Sequence, residues 1–350
     1  MVLAGALFWG AALEPGEILF RGQEQQLDPS SIPLPAGAIE LKRVSRFPDA
    51  EGQGPYLSRP EGLALAPTGR IYISDTLNNE IYTFDLAGCH MGTFGRTGQG
   101  PGEFLKPGAI AISDGHIIVR EAGSMRIQIF DLLGKYLNGF KTFRAYTSMA
   151  ADNKRIYASP FLHSQYLDTK EACLVDVLDF NGRILRSFGA PLDIANKVIF
   201  PWLNQVILSF GRENELWVAF KCFPIVRKYA ADGRLLAEFH YRYDIAEKKA
   251  ALNRKIGSEG NGSTAQPFFA WVIQSACATG RGLYLIDGTA GHRVLIFLIG
   301  DDGRVSEYYW APLEKRGLAC SGLLVMGDEQ DRKFYVLNHS DACVDIYSRR

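Results

Sequence analysis

The chain has 350 residues, with 38 Lys and Arg balanced by 38 Asp and Glu, 47% apolar types and 22% charged types. That balance excludes a largely disordered chain, which needs few apolar residues and a large net charge. Zero net charge also argues against nucleic acid as a partner, because phosphate neutralisation normally takes a basic surplus. No apolar run reaches the ~18 residues of a membrane-crossing helix.

Residues 1–13, MVLAGALFWGAAL, form a short apolar run that ends at Glu14-Pro15-Gly16. Its length suits the core of a secretory signal, and Gly10-Ala11-Ala12 resembles a small-residue cleavage site, although Val2 stands where a basic leader is usual. The segment favours export, extracytoplasmic over cytoplasmic. Gln23 to Ala38 carries Pro29, Pro33 and Pro35 and reads as a linker, so residues 1–38 stand apart from the rest. Residues 39–47 alternate apolar and polar, the pattern of a half-buried strand.

From there one pattern recurs six times. Residues 70–75 read RIYISD, 116–121 HIIVRE, 155–160 RIYASP, 215–220 ELWVAF, 282–287 GLYLID and 333–338 KFYVLN. Runs of β-branched, aromatic and aliphatic residues bounded by turn formers are strands, and their near-continuous apolarity means that both faces are covered. A second strand follows: IYTFD at 81–85 is answered by IQIFD at 127–131, and both lead into Asp-x-x-Gly turns, Asp85 to Gly88 and Asp131 to Gly134. Asp179 to Gly182, Asp232-Gly233 and Asp302-Gly303 mark corresponding turns, whose tight geometry Asp and Gly tolerate. Each turn is followed by a strand that ends in aromatics, Phe94, Phe140, Phe188, Phe239 and Tyr308-Tyr309-Trp310. A further strand precedes each unit. Its small residues, such as Gly62, Ala64, Ala109 and Ala111, suit the crowded axis where sheets converge.

Each unit thus holds four strands over about 40–50 residues, a propeller blade. Six blades begin near residues 58, 106, 146, 205, 269 and 316. The predicted fold is all-β: a six-bladed β-propeller of four-stranded antiparallel blades over residues 39–350. The sixth blade runs out at Ile346-Tyr347 before a fourth strand, and an open edge would invite aggregation. Residues 39–47 are the segment able to close it. Two insertions, 190–204 and 242–267, lie between blades three and four and between four and five. In the first, Ile199, Phe200 and Trp202 look exposed. The second includes a short charged helix over 245–252. Both are expected to rise over the face where the innermost strands begin, the top face, as a lid or rim.

The succession Arg59-Pro60-Glu61-Gly62, Gly69 to Asp75, Asn78-Asn79 and Ile81 to Asp85 resembles an NHL repeat, as does Asp287 through Gly291-His292-Arg293-Val294. Blades three, four and six depart from it, with Pro160, Phe220 and Asn338 in place of the strand-ending Asp. The resemblance implies a fold and leaves function open, because NHL-like propellers include binding modules, sensor domains, lyases and lactone hydrolases.

The topology places the candidate site residues on the top face. His163, His292 and His339 fall in its loops; three neutral imidazoles there would suit zinc or another transition ion. Asp75, Glu121 and Asp287 end matching strands, and carboxylates around a channel suit Ca²⁺; the competing reading is that each caps the next turn through backbone N–H groups. Arg59, Glu61 and Lys106 lie near the channel mouth as ligand-binding candidates. The six cysteines, Cys89, Cys173, Cys222, Cys277, Cys320 and Cys343, show no metal-ligand spacing and read as small buried residues, with disulfides left open by the even count. The sequence contains no G-x-S-x-G elbow, HExxH or phosphate loop. The reading is a secreted, monomeric binding or sensor module, with a protein, peptide or glycan partner on the top face. The alternative is a metal-dependent lyase or lactone hydrolase. In that reading His292 or His339 is ligand or base, and a divalent cation such as Zn or Ca sits at the top of the channel.

Overall fold

The structure, a computed structural model, describes residues 34–48, 54–162, 172–211, 214–242, 244–258, 269–287, 293–313 and 320–349. The Ile39–Phe47 strand is β1. Blade 1 is β2 (Pro60–Leu65), β3 (Ile71–Asp75), β4 (Glu80–Phe84) and β5 (His90–Phe94). Blade 2 is β6 (Pro107–Ser113), β7 (His116–Glu121), β8 (Arg126–Asp131) and β9 (Tyr136–Lys141), and blade 3 is β10 (Tyr146–Ala151), β11 (Ile156–Pro160), β12 (Val175–Leu178) and β13 (Ile184–Phe188). A short helix α1 (Phe200–Leu203) leads into blade 4, made of β14 (Val206–Phe210), β15 (Leu216–Phe220), β16 (Ile225–Tyr229) and β17 (Leu235–His240). Helix α2 (Asp244–Ser258) leads into blade 5, made of β18 (Ile273–Thr279), β19 (Gly282–Asp287), β20 (Arg293–Ile299) and β21 (Val305–Pro312); β22 (Cys320–Met326), β23 (Lys333–Asn338) and β24 (Cys343–Arg349) follow.

The ring is closed. Innermost strands β2, β6, β10, β14, β18 and β22 neighbour one another in turn, and β22 returns to β2. Strand β1 supplies the missing fourth strand of blade 6, antiparallel to β24 from Leu41 opposite Arg349 to Phe47 opposite Val344. Beyond what the sequence suggested, the start of β1 also pairs in parallel with β21, Ile39 opposite Tyr309, so blades 5 and 6 fuse into one eight-stranded sheet. Arg46 secures the seam: its Nε donates to Asp345 Oδ1 at 2.6 Å.

The core lies between sheets rather than at the axis. The layer between blades 1 and 2 gathers Tyr72, Ile81, Phe104, Ile117 and Phe130, and the one between blades 6 and 1 gathers Phe47, Ile73, Tyr82, Tyr335 and Val344. Second strands are sandwiched, which is why β3, β11, β15 and β19 are buried at every position. At the axis, side chains have little room: a Cβ on Gly62 would sit 2.7 Å from Ser74 Oγ and against the Gly108 carbonyl.

The turn glycines and the outer-strand aromatics form one device. Gly88 faces the ring of Phe47, Gly134 that of Phe94, Gly182 that of Phe140, Gly233 that of Phe188 and Gly303 that of Phe239, in each case from the preceding blade. The absent Cβ is the socket for the ring. Blade 6 has no such hairpin, because its outer strand comes from the other end of the chain. There Tyr309 of blade 5 instead packs on Phe334, ring centroids 4.8 Å apart. Among the described residues no helix is long and apolar enough to cross a membrane.

Candidate functional site

The mouth of the channel is built by repetition. In four blades the residue after the second strand donates its backbone N–H to the carbonyl just before the first strand: Thr76 to Arg59, Ala122 to Lys106, Phe161 to Ala145 and Lys221 to Gln205. These four residues are structurally equivalent, and His339 holds the corresponding place after β23. Two of them latch onto the next blade. The Thr76 hydroxyl lies 3.0 Å from the Pro107 carbonyl, and His339 Nδ1 donates to the Pro60 carbonyl at 3.0 Å. Phe161 and Lys221 instead meet aromatic rings from the insertions.

Those rings form a wall across blades 3 to 5. Phe161 packs edge-on against Trp202 at 4.9 Å between centroids, Trp202 stacks on Phe269 at 5.9 Å, and Phe269 lies 6.1 Å from Trp271. Lys221 ends the series, its Nζ 3.2 Å from the centroid of Trp271. Among the described residues no carboxylate lies within ion-pair distance of this ammonium, and burial pushes its pKa down to about 7, with the Glu61 charge opposing that shift. Across the mouth, blades 1 and 2 contribute Glu61, which accepts from Arg120 Nη2 at 3.0 Å and lies 2.9 Å from the Thr76 hydroxyl, whose single proton it shares with the Pro107 carbonyl. Gly108 leaves the space that the Arg120 guanidinium fills. One side of the mouth is therefore aromatic, and the other is polar and charged.

The insertions rise over the top face, as the topology requires. Of the first, Trp202 is exposed, whereas Ile199 and Phe200, read from sequence as exposed, are buried. They pack with Leu203 and Val206 on blades 3 and 4, because the turn that presents Trp202 needs its own apolar footing. Helix α2 is longer than the sequence suggested and is fixed by buried polar residues. Asn253 Nδ2 donates to the carbonyls of Cys222 and Ala270, both at 2.7 Å, and its Oδ1 accepts from Ala270 N–H. Lys249 Nζ donates to Asp287 at 3.0 Å and to the Trp271 carbonyl at 2.8 Å. The two lysines thus hold Trp271 at its backbone and at its ring.

The strand-ending carboxylates do not open onto the mouth as ligand-binding groups; all three are buried. Asp75 caps its turn, accepting from the N–H groups of Ser58, Arg59, Leu77 and Asn78. Glu121 accepts from Leu105 N–H, the Ser124 hydroxyl, Arg126 and Gln128. Asp287 is engaged by Lys249. Asp75 thus caps its turn and Glu121 is held mainly by Arg126 and Gln128, while the turn that follows Asp287 lies outside the described residues. Lys106 is exposed on a left-handed backbone, with its N–H on Asn79 Oδ1, and Arg59 is half-buried.

A family described as "6-bladed beta-propeller" matches residues 62–189, which span blades 1 to 3. Two curated proteins match in sequence. Protein brain tumor of Drosophila melanogaster is 28% identical over 42% of this chain and 14% of its own length. The human E3 ubiquitin-protein ligase NHLRC1 is 33% identical over 23% of this chain and 20% of its own. The chain therefore spans a small fraction of these relatives. A solved Bacteroides fragilis structure superposes with a TM-score of 0.54 at 12% identity, covering 87% of this chain and 86% of that one, and shares the fold. The chain is a six-bladed β-propeller, similar over part of its length to these two proteins.

In this propeller His163 and His292 lie outside the described residues, so the proposed three-histidine cluster does not bear on the geometry above. His339 serves as a latch between blades 6 and 1. Among the described residues no group of three or more His, Cys, Asp or Glu is arranged to hold a metal ion. Sequence reasoning passed over Lys221, Trp271 and Arg120. The available signal was the departure of blade 4 from the repeat. Phe220 replaces the strand-ending carboxylate, and β14 pairs with β15 without the bulge that interrupts the first strand pair of the other blades.

Proposed function

We propose that this NHL-like propeller is a binding module that takes a polypeptide partner on its top face. The observation that carries the reading is the distribution of exposed apolar side chains. Among the described residues, Tyr56, Leu77, Met125, Phe143, Val198 and Trp202 stand on top-face loops and Leu133 on a bottom-face loop, while the other exposed apolar side chains, all aliphatic or Met, lie on β1 and the outermost strands. Scattered exposed leucines need no explanation, but large rings gathered on one face, next to a continuous aromatic wall, mark interaction surfaces. Kinship with NHL-repeat proteins supports the same reading.

The test is selection of phage-displayed random peptides on the immobilised protein, repeated with Trp202→Ala, Phe143→Ala and, as a bottom-face control, Leu133→Ala. The reading expects peptides that lose at least about tenfold in affinity on Trp202→Ala and keep it on Leu133→Ala, as a truncated aromatic anchor should. Peptides indifferent to both top-face changes would reject it.

A further inference from the structure

We propose that Lys221 is the anion subsite of the mouth, and that the partner presents a carboxylate there, next to an aromatic or aliphatic residue seated on Trp202 and Phe269. The inference rests on the top-face reading and names the chemistry that the face selects.

Three observations lead to it. First, Lys221 occupies a position that Thr76 and His339 use to latch a neighbouring carbonyl, yet among the described residues its ammonium meets the face of Trp271 and no acceptor. An aromatic face attracts a cation but satisfies few of its three donors, so the remaining N–H groups are available to an incoming acceptor. Second, the fully buried lysine of this region is already answered. Lys249 has both the Asp287 carboxylate and the Trp271 carbonyl. Blade 4 ends its second strand in Phe220 where blades 1, 2 and 5 have a carboxylate, so no strand-ending anion stands beside Lys221. Third, the charge at the mouth is unbalanced. Lys221 and Arg120 face it with Glu61 as the nearby acid among the described residues, and Arg120 Nη2 already neutralises Glu61. A half-buried cation with no acidic partner among the described residues is stabilised by an incoming anion more than an exposed one would be, because less water competes. The aromatic wall runs directly to this ammonium, so one short segment can place an apolar side chain and a carboxylate on the two together. Burial that already weakens the hold of Lys221 on its proton makes the same point, since a bound carboxylate would restore the charge.

The experiment uses peptides selected on the full chain, each paired with a version whose Asp or Glu is replaced by the amide. Affinities are measured by calorimetry against wild type, Lys221→Gln and the charge-keeping Lys221→Arg, with circular dichroism to confirm folding. Selected peptides should be enriched in an acidic residue beside an apolar one. Amidation should weaken wild type and Lys221→Arg by about tenfold or more, the worth of a charge-assisted hydrogen bond, and leave Lys221→Gln nearly unchanged. Peptides that need Trp202 but tolerate amidation equally in wild type and Lys221→Gln would overturn this inference and leave the top-face reading intact. Peptides indifferent to Trp202 would remove both. Tight binding of oligouridylate instead, lost in Lys221→Gln, would assign the cation to phosphate and overturn the carboxylate.

Discussion

Lys249 Nζ lies 3.0 Å from Asp287 Oδ1, and both side chains are almost sealed from solvent, 5% and 1% exposed. Helix α2 is thereby locked to the end of the second strand of blade 5, and the segment carrying Trp271 is held between them. A buried ion pair returns little net stability over an apolar pair, but breaking it from one side leaves a stranded charge. Lys249→Met should destabilise the protein by about 3–5 kcal/mol. The double variant Lys249→Met, Asp287→Asn should lose clearly less than the sum of the two single changes. Urea denaturation of the four proteins checks both statements.

The aromatic sockets between blades make a steric prediction. Gly134 has φ +83°, and a Cβ there would fall 2.6 Å from the Phe94 ring. Gly134→Ala should cost about 1–2 kcal/mol for the left-handed backbone and about 1–3 more for overpacking. Trimming the ring with Phe94→Leu should recover part of the second contribution only. A denaturation midpoint that is additive for the two changes would show that the ring and the turn act independently.

Closure depends on β1. Phe47 is buried between blades 6 and 1 and fills the socket at Gly88, so Phe47→Ala should cost about 3–5 kcal/mol. Removing residues 1–47 should do more than destabilise. It leaves β24 and β21 with open edges, and the product should self-associate in light scattering.

Lys221 makes stability depend on pH in a particular direction. Its pKa falls from 10.5 to about 7 on folding, so between these values the unfolded chain binds more protons. Stability from this group therefore rises with pH across that window, and its unfavourable contribution is complete below pH 7. The charged group that acts on it is Glu61 from β2, itself paired with Arg120 from β7, while burial holds the adjacent Cys222 thiol neutral, up at about 12. Lys221→Met should stabilise the protein at pH 6 and lose most of that advantage by pH 10. Guanidinium midpoints at the two pH values measure it.

The sockets show why so much of the fold was legible in sequence. Asp-x-x-Gly turns and outer-strand aromatics recur at fixed spacing, and each can be filled only by the other, so period and contact coincide. The role of residues 39–47 followed from a missing fourth strand and an alternating pattern, and β24 confirms it; the parallel pairing to β21 left no mark in either segment. At the site, Glu61 was found because it lies at the start of a recognisable repeat. Lys221 was passed over because it stands where the repeat fails, and Trp271 because it sits just past an insertion with no period at all.

Local periodicity, turn chemistry and the demand that no sheet edge stay open were enough for the primary structure to specify six radial sheets joined by their own ends. They act between near neighbours and repeat. The environment of Lys221 does not repeat: it combines a ring from the next blade, a helix anchored by Lys249 and an acid from the opposite wall. Only three-dimensional folding brings such distant residues together, and only there is the ammonium left without an anion among the described residues.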